Sequence, residues 1–79
     1  MYVEFTLPQG ISTRVMANVI KAEVAIWAKH YGIPDSDYSQ KTIKYTHRLG
    51  FTKEKHFSLF SMTWDKFAYQ IVRVENERY

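Results

Sequence analysis

Gly32 and Pro34 stop the one long helical pattern in this sequence, and everything after them must fold back onto it. From Ser12 to about Tyr31, the residues Val15, Met16, Val19, Ile20, Val24, Ile26, Trp27 and Tyr31 recur at helical spacing. Together they cover roughly 180° of a helix surface. Gly32 stands where a left-handed C-cap is wanted, and Pro34 blocks continuation. Ser12 or Thr13 is placed to cap the start. An apolar arc this wide is more than one small sheet covers, which predicts a second contact, a homodimer partner. The remaining ridge, Arg14, Asn18, Lys21, Ala25 and Lys29, is basic.

Strand signals flank the helix. YVEFTL alternates Val3, Phe5 and Leu7 with Tyr2, Glu4 and Thr6, the period of a half-buried strand, and Pro8-Gln9-Gly10 turns the chain. After the polar loop IPDSDYSQ the rest reads as a meander of three strands, over about 42–51, 56–64 and 67–75, with reversals at residues 52–55 and at Asp65-Lys66. Opposed residues share a face. Hairpins at those reversals set Ile43, Tyr45, Phe60, Met62, Trp64, Phe67, Tyr69 and Ile71 on one apolar side. Lys44, Thr46, Arg48, Ser61, Thr63, Ala68 and Gln70 fall on the other. The expected fold is therefore α+β, of order β-α-β-β-β, with one helix packed on one face of a four-stranded, mostly antiparallel sheet. A long helix returns the chain before the second strand, so the first strand is expected parallel to its neighbour. The 79 residues form one domain, 1–79.

Charge is unevenly placed. Residues 41–56 hold Lys41, Lys44, Arg48, Lys53 and Lys55 against Glu54, a net +4, with His47 and His56 besides; the whole chain is +3. Such a segment favours an anionic partner. Lys41, Lys44, Arg48, Lys53, Lys55 and His56 are the candidate nucleic-acid contacts, with Phe57, His56 and Tyr38 as rings on which unpaired bases can stack. No recognition helix for a DNA groove is evident. Phe57, Leu59, Val72 and Val74 cluster at one end of the same face and are the candidate contacts for a protein partner.

Other chemistry is weaker. Glu23, His30, His47 and Tyr45 point to the core side, where a carboxylate, an imidazole and a phenol could act as acid and base on a phosphodiester. The alternative for each is a structural role, and no catalytic residue is assigned. His30, His47 and His56 lack metal-ligand spacing, and there is no Cys to join them or to form a disulfide. Asp35, Asp37 and Ser39 open like a calcium loop, but Gln40 and Thr46 occupy the positions that need Gly and Glu. No glycine-rich phosphate loop occurs. No cofactor and no metal are expected. MYVEFTLPQG does not read as a secretory leader, and no apolar run is long enough to span a bilayer, so the expected location is cytoplasmic, away from membranes.

A short, Cys-free, aromatic-rich single domain without a catalytic signature resembles the small early proteins of tailed bacteriophages. In size and charge it is similar to the phage toxin-inhibitory-factor type, which antagonises an RNA-cleaving toxin with RNA as a co-partner. The resemblance rests on the whole chain and on no motif, so no site residue carries over from it. It implies a toxin antagonist or inhibitor acting on a host protein. The function expected from residues and resemblance together is a non-enzymatic, RNA-contacting inhibitor or adaptor. The alternatives are a purely protein-directed inhibitor and a small RNA-cleaving enzyme.

Overall fold

The computed structural model describes residues 1–10, 12–67 and 70–75. The elements are β1 (Tyr2–Thr6), α1 (Ser12–His30), a single 3-10 turn (Asp35–Asp37), β2 (Tyr38–Ile43), β3 (Thr46–Phe51), α2 (Glu54–Thr63) and β4 (Ile71–Glu75). The strands form one sheet of order β2-β3-β1-β4 with every pair antiparallel. This is an α+β molecule with the split β-α-β, ferredoxin-like connectivity.

Two helices and the order β-α-β-β-α-β overturn the expected β-α-β-β-β with a single helix. The error lies at residues 56–64, expected as a strand. Phe57, Phe60 and Trp64 are spaced three and four apart, which is one side of a helix. Phe57 and Phe60 are buried in the core and Trp64 packs against it, while Met62, expected inward, is 82% exposed. A second correction concerns residues 42–51, which are not one strand. Ile43 pairs with Thr46, so Lys44 and Tyr45 form the tip of a two-residue hairpin. Lys44 takes φ 52, a conformation usually given to Gly or Asn. The Leu7 amide donates to the Tyr45 carbonyl at 2.7 Å and ties the tip to the end of β1. Ile43 and Tyr45 are consequently exposed, not core. Third, β1 is antiparallel to both its neighbours, β3 and β4. The strand that runs parallel to it is β2, and β3 lies between them.

The helix α1 ends as its sequence requires. Gly32 adopts φ 69, its amide donates to the Lys29 carbonyl at 3.2 Å, and the Ile33 amide donates to the Ala28 carbonyl at 2.8 Å. That pair of bonds is a Schellman motif, and its apolar clasp is Ile33 on Ala28, both buried. At the other end α1 begins at Ser12, and the Thr13 hydroxyl donates back to the Pro8 carbonyl. The buried stripe of α1 is Ala17, Ile20, Val24, Trp27 and Ala28. Val15, Val19 and Ile26 of the wide arc lie outside it. Against that stripe pack Val3 and Phe5 of β1, Leu49 and Phe51 of β3, and Phe57 and Phe60 of α2. Phe60 is the hub, with ring centres 5.1 Å from Trp27, 5.6 Å from Phe51 and 4.8 Å from Trp64. Trp27 also donates to the Thr63 hydroxyl at 2.9 Å, pinning α1 to the end of α2.

With the core filled by one side of the sheet, the other side is open. Register assigns Tyr2, Glu4 and Thr6 of β1, Thr46, Arg48 and Gly50 of β3, and Ser39, Lys41 and Ile43 of β2 to that open face. Three expected members of the face sit elsewhere: Gln70 is buried, and Ser61 and Thr63 belong to α2. Ala68 and Tyr69 lie outside the described residues.

Candidate nucleic-acid interface

The hairpin places three of the expected cations around one concavity. Arg48 and Lys41 are cross-strand partners on β3 and β2, and Lys44 stands at the tip that joins those strands. With Glu4, Ile43, Tyr45 and Thr46 they line a shallow hollow of about 410 Å³. Its centre is Arg48. Nε and Nη2 of that guanidinium donate to Oε2 of Glu4 at 3.3 and 3.1 Å, and Cζ lies 4.2 Å from the centre of the Tyr2 ring. Glu4 and Tyr2 hold the group in one orientation, as cross-strand and cation–π contacts do. The Arg48 side chain is still 46% exposed, and Nη1 makes no bond among the described residues. Lys41 and Lys44 likewise make no ion pair among them. A planar cation held over a tyrosine ring, with two exposed ammonium groups beside it, suits a phosphate and a base plane together.

The remaining expected contacts stand at the far end of β3, about 20 Å away for a six-residue strand. There Asp37 gathers Lys53 at 3.2 Å and Nε2 of His56 at 3.0 Å. Partial desolvation pushes the Asp37 carboxyl up, but the hydrogen bonds and charges of His56 and Lys53 outweigh it and hold the group below its usual range. Lys53 precedes the first turn of α2 without a side-chain cap. A cation at a helix N-terminus opposes the macrodipole, and the Asp37 carboxylate offsets it. Lys53 and His56 therefore brace α2, and of this group only Lys55 is exposed without an ion pair among the described residues.

The rings proposed for stacking are also redistributed. Phe57 is core, and Tyr38 is half-buried on the inner side, its phenol pushed up by desolvation and by the neighbouring Asp35 carboxylate. Tyr2 and Tyr45 replace them at the open face. The alternation of Tyr2 with Val3 was signal enough to place Tyr2 there, whereas Tyr45 needed the hairpin to be seen. Nor do the apolar contacts form a cluster on one sheet face. Phe57 and Leu59 are on α2, packed in or against the core, Val74 is exposed on β4, and the Val72 side chain lies outside the described residues.

The four acid–base candidates do not converge. Glu23 holds Lys66 at 2.7 Å in a groove between the ends of α1 and α2, shared with His30. Tyr45 is at the hairpin tip. His47 is buried, with Nδ1 2.7 Å from the Thr42 hydroxyl and Nε2 2.7 Å from Oε1 of Gln40. Gln40 donates its own amide to the Lys21 carbonyl at 3.2 Å, which turns Oε1 toward the imidazole. Nε2 of His47 then carries the proton, and Nδ1 accepts from Thr42. Burial, aided by the charge of Lys21, holds this imidazole below its ordinary value, so it is neutral. It is a satisfied structural group. Among the described residues no three His, Asp or Glu side chains are grouped to hold a metal ion, and no helix is long and apolar enough to cross a membrane. No protein-family model, curated protein or solved structure matches this chain.

Proposed function

We propose that this protein is a non-enzymatic binding module for single-stranded or folded RNA, serving as an inhibitor or adaptor. The observation that carries the reading is the convergence of Lys41, Lys44 and Arg48 on one open hollow, where the only carboxylate among the described residues that line it, Glu4, is already spent on Arg48. Phosphates meet Lys41 and Lys44, and an unpaired base stacks on the guanidinium plane or on Tyr45. By analogy of fold alone, four-stranded sheets in RNA-recognition modules also take bases on their open face. Here the two central strands offer Tyr2 and Arg48 in place of paired rings.

The test is fluorescence anisotropy with a labelled single-stranded RNA. Lys41→Glu/Lys44→Glu touches no buried group, so its circular dichroism and melting should match the parent while RNA affinity collapses. Undiminished binding by a folded double variant would refute the assignment. A second reading, a protein-directed inhibitor without nucleic acid, draws on the apolar outer side of α1. It predicts that the purified protein carries no nucleic acid and that partner capture survives nuclease treatment.

A further inference from the structure

The face of α1 that points away from the sheet is apolar where a lone surface helix would be polar. At 100° per residue, Val15, Val19, Ala22 and Ile26 fall within about 60° of one another, on the side opposite Ile20 and Val24. Val15, Val19 and Ile26 are 60%, 41% and 62% exposed. Their spacing of four, three and four residues is that of a seam between two packed helices. One flank of the seam carries Arg14, Lys21 and Lys29, all exposed and without an ion pair among the described residues. The other flank holds one carboxylate, Glu23, which is bound to Lys66.

We infer that this face of α1 docks an acidic amphipathic helix from a partner protein, with the partner's apolar seam on Val15, Val19, Ala22 and Ile26 and its carboxylates beside Arg14, Lys21 and Lys29. A second copy of this chain fits less well. In an antiparallel two-fold pair the basic flank lies beside its own copy. In a parallel pair it meets a flank whose carboxylate is already taken. A bilayer surface fits less well too, because short Val and Ala side chains suit a close helix–helix approach, while interfacial helices present Trp, Phe and Leu. The site is separate from the hairpin hollow and independent of RNA.

Two synthetic helical peptides of about three heptads serve as probes, with identical Leu and Ile at the seam and either Glu or Lys on the flanks. The acidic peptide should bind the full chain, and the basic one should not. Val19→Asp/Ile26→Asp should weaken the acidic peptide by about tenfold or more while leaving the circular dichroism spectrum and RNA binding unchanged. Lys21→Glu/Lys29→Glu should reverse the preference between the peptides. Equal binding of both peptides, equal binding of a sequence-scrambled acidic peptide, or no binding would overturn the inference. So would self-association in sedimentation velocity, or capture by anionic phosphatidylserine vesicles, that is lost in Val19→Asp/Ile26→Asp.

Discussion

Lys44 combines a backbone conformation and a charge that favour different residues. At φ 52 a lysine is disfavoured by the clash of its Cβ with the next carbonyl, and glycine is not. Lys44→Gly should thus stabilise the fold by up to about 1 kcal/mol, visible as a raised melting temperature, and should weaken RNA binding through the lost ammonium. A variant that gained stability and kept full affinity would place the phosphate contact elsewhere. His47 makes a second residue-scale prediction. Unfolded, it takes up a proton at its ordinary value of about 6.5; folded, it does so only at lower pH. The stability supplied by the neutral, buried ring is then complete above about pH 6.5 and is lost as pH falls below that. Urea midpoints should decline from pH 7.5 to pH 5, and His47→Gln should flatten the decline. Asp37 acts lower: its depressed carboxyl contributes above its unfolded value of 3.8 and fails beneath it, outside that window.

Whether residues 54–63 are a helix decides the architecture, and two alanine substitutions distinguish the cases. As a strand, Phe60 and Met62 would share a face and cost comparable stability when truncated. As a helix, Phe60→Ala removes the hub of the aromatic cluster and should cost about 3–5 kcal/mol. Met62→Ala, at a site 82% exposed, should stay within about 0.5 kcal/mol of the parent in urea denaturation. The segment shows why period alone misled. In KHFSLFSMTW both rhythms are present, Phe60-Met62-Trp64 at two and Phe57-Phe60-Trp64 at three and four. No Gly or Pro arbitrates between them. Where punctuation exists, the elements were legible, as in β1 ahead of Pro8-Gln9-Gly10 and α1 up to Gly32. The β2–β3 hairpin was not legible, because its tip is Lys-Tyr, with none of the residues that usually mark such a turn. For the same reason the hollow is legible only in part: charge identifies Lys41, Lys44 and Arg48, and alternation in β1 turns Tyr2 and Glu4 away from the core, but alternation across the unseen hairpin puts Tyr45 inside, and the contacts of Tyr2 and Glu4 with Arg48 need the β1–β3 pairing.

At the scale of the whole molecule, the cationic segment of the sequence becomes two groups at opposite ends of β3, which do different work. The hairpin group faces a hollow with spare charge, while the Asp37 group is internally compensated by Lys53 and His56. If three phosphates are neutralised by Lys41, Lys44 and Arg48, the logarithm of affinity for single-stranded RNA should fall against the logarithm of salt with a slope of about −2, near −0.7 per phosphate. Lys41→Gln/Lys44→Gln should reduce that slope to about −0.7 and leave the melting temperature unchanged. Lys53→Gln should do the reverse. It removes a contact of Asp37 at the start of α2, so it should lower the melting temperature and leave the salt slope intact. The cross-comparison is decisive because the double substitution and the single one both lower net charge. A slope that tracked net charge alone, equally for either end, would mean diffuse attraction with no built site. A slope that responds only at the hairpin locates the polyanion on the open sheet face.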